Sequence, residues 1–148
     1  MITYYIWFSV AGYVEGAPEI AALGDGDLVA DLLADFRFLC EVLHETPSAP
    51  AIVHLEPDLW GYGHQVNSDP TLIPVALADA ADPACAGLGN HFAGLARCLG
   101  RIARDVARLV VGVAGSQPVY LSDVANVVAG PEQPARYVTH GVKDEVFP

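Results

Sequence analysis

Apolar residues in this chain change their spacing along its length, and those changes limit the folds open to it more than its composition does. Residues 2–10 run Ile-Thr-Tyr-Tyr-Ile-Trp-Phe-Ser-Val, almost unbroken in aromatic and β-branched side chains, as in a strand buried on both faces. Gly12 and Gly16 interrupt it. Over 27–44 the spacing turns helical. Leu28, Leu32, Phe36, Leu39 and Leu43 share one face and Asp27, Asp31 and Asp35 another, which predicts an amphipathic helix capped by Asp25 or Asp27 and stopped before Pro47. Residues 51–55, between Pro50 and Pro57, are too few for a helix and read as a second strand.

Residues 57–90 hold Pro57, Pro70, Pro74, Pro83 and several glycines, the composition of a long connection. Phe92, Leu95, Leu99, Ile102 and Val106 then form the apolar stripe of a second helix with Asn90 as its cap. Residues 109–114 are a third strand candidate. Past Gly115, short apolar runs alternate with Pro118, Pro131 and Pro134, a texture of small strands and turns. The order β-α-β-loop-α-β predicts an α/β fold with a mainly parallel sheet and right-handed crossovers.

Charge removes one class of partner. Asp and Glu number 18 against 7 Lys and Arg, a net charge of −11, whereas nucleic-acid affinity comes from neutralising phosphates. No apolar stretch approaches the ~20 residues that span a bilayer. The N-terminal apolar run has no Lys or Arg ahead of it and reads as a strand rather than a secretory leader. Cys40, Cys85 and Cys98 are odd in number and lack metal spacing, so reduced, mostly buried thiols are expected.

The densest chemistry lies at His54-Leu-Glu-Pro-Asp-Leu-Trp-Gly-Tyr62. His54, Glu56 and Asp58 alternate, so a continuing strand would project them from one face, although Pro57 works against this for Asp58. In parallel α/β sheets, ligands gather at the carboxyl ends of strands, where Glu56 and Asp58 fall. Trp60 and Tyr62 could wall a sugar ring, and Gly61 and Gly63 allow close backbone approach. Glycoside cleavage commonly uses two carboxyl groups, and no second partner for Glu56 is identifiable. Turn capping by Glu56 and Asp58 is the alternative.

His54, Glu56, Asp58 and His64 show no specific metal spacing. The zinc deaminase pattern that His54-x-Glu56 could open fails, because Cys85 has no cysteine close behind it and Cys98 is distant. No cofactor is implied. Arg97, Arg101, Arg104 and Arg108 line one helix face, which reads as a solvated face more than as an anion site. His91 and His140 receive no role.

Thr3-Tyr-Tyr-Ile-Trp-Phe-Ser-Val-Ala-Gly-Tyr13, the 54–62 run and Gln65-Val-Asn-Ser-Asp-Pro70 resemble a poorly characterised bacterial family with a glycosidase-like (β/α)8 barrel. The resemblance covers residues 2–115. It implies that Glu56 and Asp58 sit at the mouth of a barrel strand, with Trp60 and Tyr62 in the loop above. A barrel needs ~250 residues, so it implies an incomplete, TIM-barrel-like βα-repeat. Residues 104–148, with Asp105-Val-Ala-Arg-Leu-Val-Val-Gly-Val113, Gln117 to Val127, Gly130-Pro-Glu-Gln-Pro134 and Tyr137-Val-Thr-His-Gly141, are similar to the periplasmic porter region of resistance-nodulation-division efflux transporters.

These resemblances imply a chimeric chain: a partial glycosidase-like α/β domain over 1–115 and a β-rich transporter-like segment over 116–148. The expected activity is at most weak carbohydrate binding or hydrolysis, with Glu56 and Asp58 catalytic and His54, Trp60 and Tyr62 binding substrate. The alternative is a non-enzymatic fragment of a transporter porter domain. Open sheet edges would favour self-association.

Overall fold

The computed structural model describes residues 3–7, 15–45, 51–55, 57–110 and 119–122. In chain order these form strand β1 (Thr3–Trp7), helices α1 (Ala17–Ala22) and α2 (Gly26–Glu45), strand β2 (Ala51–Leu55), and helix α3 (Pro57–Val66). A 3-10 turn (Pro83–Cys85), helix α4 (Phe92–Val110) and strand β3 (Val119–Ser122) complete them. The helices hold 6, 20, 10 and 19 residues and the strands 5, 5 and 4. The described residues are therefore mostly helical.

This corrects the α/β expectation of a partial parallel βα-repeat, and with it the TIM-barrel fragment. The strands run parallel in the order β1-β2-β3, but no barrel is present among the described residues. That core is built helix on helix. Val29, Leu32, Leu33, Phe36, Cys40 and Leu43 of α2 are buried together with Leu95, Leu99, Ile102 and Val106 of α4, and α2 packs on α4 as α1 does on α3. From the strands, Val53 and Leu55 enter this cluster.

Three readings failed for local reasons. Residues 57–66 are helix α3, not connection: Pro57 stands at its first position, where no backbone N–H is required and the fixed φ suits a helix. Leu109 and Val110 finish α4 rather than starting a strand, and 111–114 lie outside the described residues. The cap of α4 is His91, whose Nδ1 accepts from Gly94 N at 3.0 Å; the Asn90 side chain instead accepts from Ala78 N at 2.9 Å. For α2, Asp25 is the cap, its Oδ1 accepting from Asp27 N and Leu28 N.

The segment between α3 and α4 is fastened from several sides. Ile73, Val75 and Leu77 are buried in the core. Ala76 N donates to Leu23 O at 2.8 Å, Val75 N to Asn90 O and Phe92 N to Ile73 O. Asp69 Oδ1 accepts from Thr71 N and Thr71 Oγ1, and these bonds hold its carboxyl below the usual carboxylate range.

Candidate functional site

The expected carboxylate site falls at the junction of β2 and α3. His54 lies in β2, in register with Ile6 of β1 and Ser122 of β3. Glu56 is outside the described residues. Asp58 is exposed in the first turn of α3.

The two aromatic residues expected to bind substrate part company. Trp60 is buried in the core, its indole Nε1 donating to Leu55 O at 2.6 Å and its ring lying 4.9 Å from that of Phe92. It is a packing residue with its polar handle satisfied, because the first turns of α3 aim it inward. Tyr62 stays half-buried, its hydroxyl donating to Glu15 Oε2 at 3.2 Å. Burial, then the Glu15 carboxylate and more distantly Asp58 and Glu19, push this phenol up from its ordinary value. Gly63, read as open to a ligand, is buried against the Phe92 ring. Gly61 is exposed.

A second constellation, unread in the sequence, surrounds the 3-10 turn. Cys85 and Cys98 form a disulfide that ties the turn to α4, which corrects the expectation of three reduced thiols; Cys40 is the free cysteine among the described residues. Asp82 caps the turn, its Oδ1 accepting from Ala84 N at 2.8 Å. Arg37 of α2 places Nη2 3.0 Å from both Asp82 carboxylate oxygens. Arg101, one helical turn beyond Cys98, donates from Nη1 to Ala84 O at 3.2 Å and to Ala86 O at 2.8 Å.

Thus one member of the expected arginine stripe is a clamp on backbone carbonyls. Arg97 is exposed, while Arg104 lies 3.8 Å from Asp105. Donor atoms of Asp82, Cys85 and Cys98 all fall within 4.8 Å of one another. The signal available in the sequence was Asp82-Pro-Ala-Cys85, a capping residue before a proline turn. Its cysteine partner on a helix face could not be told from an ordinary buried thiol.

No helix among the described residues is long and apolar enough to cross a membrane. Comparison with protein families, curated proteins and solved structures finds no match.

Proposed function

We propose weak carbohydrate binding or hydrolysis at the β2–α3 junction, centred on Glu56 with Asp58 orienting it. One observation carries the reading: the run that holds Glu56 in sequence passes from β2, which ends at Leu55, to α3, which begins at Pro57. A helix N-terminus favours carboxylates through its dipole and free N–H groups, and exposed Asp58, two positions on in sequence, is a carboxyl of the first turn of α3. Trp60 takes no part, since its ring belongs to the core. Tyr62 is the aromatic side chain left to flank a sugar.

The test is a screen of soluble oligosaccharides for release of reducing ends and for binding by isothermal titration, repeated with Glu56→Gln. Loss of the signal in Glu56→Gln, with unfolding unchanged, is the expected result. Any hydrolysis that persists undiminished in that variant defeats the reading.

A second reading rests on β3. Val119–Ser122 lies in the transporter-like stretch and stands at the end of the strand order, where strand addition by another chain is a known mode of association. It gives a non-enzymatic assembly role in an efflux transporter porter domain. Failure to retain an isolated porter domain at micromolar concentration in a pull-down counts against it.

A further inference from the structure

We infer that Asp82, Cys85 and Cys98 become a zinc-binding site when the Cys85–Cys98 disulfide is reduced. The inference is independent of the carbohydrate reading. The first ground is placement: the two sulfurs and a carboxylate oxygen, contributed by the 3-10 turn and by α4, already lie within 4.8 Å of one another. Two thiolates, a carboxylate and one open position form a donor set suited to tetrahedral Zn²⁺. A tetrahedral zinc needs its sulfurs about 3.8 Å apart, from bond lengths of about 2.3 Å. Side-chain rotation reaches that separation once the S–S bond is gone.

The second ground is that the disulfide is not the sole tie between the turn and the helix. Arg101 holds Ala84 O and Ala86 O, and Arg37 holds the Asp82 carboxylate across from α2. Reduction therefore leaves the two thiols facing each other beside an oriented carboxylate. Asp82 Oδ2 accepts only from Arg37 among the described residues, which leaves lone pairs for a metal. The same arginines offset the negative charge that two thiolates and a carboxylate carry beyond that of the ion. Cys40 is not a competitor, since burial pushes its thiol up to about 12 and a protonated thiol is a poor ligand.

Opening requires a dithiol. Its thiolate attacks Cys85 Sγ, on the residue with residual exposure (6%, against 0% for Cys98), and the S–S bond breaks with Cys98 leaving as thiolate. The second thiol of the reductant then displaces Cys85 from the mixed disulfide, so two electrons and two protons pass to the cysteines while the reductant closes its own disulfide. Zinc binding to the two thiols releases two protons.

The experiment uses the full chain, reduced with dithiothreitol, desalted without oxygen and titrated with Co²⁺, reading thiolate-to-cobalt charge-transfer absorption and its displacement by Zn²⁺. Expected are one Co²⁺ per chain in the reduced protein, none in the oxidised one, and an unchanged titration in Cys40→Ala. Asp82→Asn weakens binding about tenfold or more, as loss of a ligand or of its support does, whereas Arg37→Gln, which leaves the carboxylate in place, weakens it less. Circular dichroism of the reduced, metal-free chain retains its helical signal. The proposal is overturned by a reduced, folded chain that binds no Co²⁺, by unfolding on reduction, by one Co²⁺ shared between two chains, or by equal losses in Asp82→Asn and Arg37→Gln.

Discussion

Trp60 Nε1 donates to the backbone carbonyl of Leu55 across 2.6 Å, so the first turn of α3 is bonded to the last residue of β2. The link ties an early residue of α3 to the end of the preceding strand. Trp60→Phe keeps an aromatic ring against Phe92 and removes the indole donor to Leu55 O. The expected loss is about 1–3 kcal/mol. Trp60→Ala also opens a cavity and loses about 3–5 kcal/mol. Urea unfolding followed by circular dichroism measures both, and Trp60→Phe leaves any glycan affinity unchanged.

Two glycines of α3 give opposite expectations. A Cβ at Gly63 would collide with the Phe92 ring, meeting Cε1 and lying 2.7 Å from Cζ. Phe92 is fully buried and cannot swing aside. Gly63→Ala therefore destabilises by about 1–3 kcal/mol, the usual range for overpacking. At Gly61 a Cβ meets nothing within 4 Å, so Gly61→Ala gains about 0.5–1 kcal/mol from helix propensity. A lower urea midpoint for the first and a higher one for the second are the expected pair.

What the sequence made legible was periodicity. Leu28, Leu32, Phe36, Leu39 and Leu43 announced α2, and Phe92, Leu95, Leu99, Ile102 and Val106 announced α4, because an apolar stripe at helical spacing needs no partner to be recognised. The region from Pro57 to Gly63 was misread, since a proline and two glycines look like punctuation until the proline is seen at a helix start. That error placed Trp60 at the wall of the expected sugar site, whereas it lies in the core. The disulfide was illegible for another reason: Cys85 and Cys98 come from two elements, and the contacts of Asp82, Arg37 and Arg101 around the turn leave no local pattern.

Cys40 predicts a pH dependence. Burial raises its thiol from 9.0 to about 12 in the folded chain. Below about pH 9 the thiol is protonated both folded and unfolded and its titration contributes nothing. As pH rises from 9 towards 12, the unfolded thiol ionises while the folded one stays neutral, so the unfolded state is favoured and stability falls. Cys40→Ala removes this term. The variant is less stable than the parent at pH 8 because a buried sulfur is lost, and the difference narrows or reverses by pH 11. Urea midpoints for both proteins between pH 8 and 11 give the comparison, and a constant difference across that range counts against the assignment.

Removing the cross-link tests how the turn is held. Cys85 and Cys98 are 13 positions apart, and a closed loop of that size restricts the unfolded chain by about 3 kcal/mol. The double variant Cys85→Ala/Cys98→Ala is expected to lose about that much, with a steeper urea dependence because its unfolded state expands more freely. The fate of the turn is then read from Arg101. Its bonds to Ala84 O and Ala86 O are partly exposed and contribute about 1–2 kcal/mol. If the turn leaves α4 once the cross-link is gone, Arg101→Gln costs nothing further in the double-alanine background. A turn that stays docked gives Arg101→Gln the same cost in both backgrounds, within the few tenths that separate independent effects. We expect the second result, because the arginine contacts and the Asp82–Arg37 pair do not pass through the sulfurs.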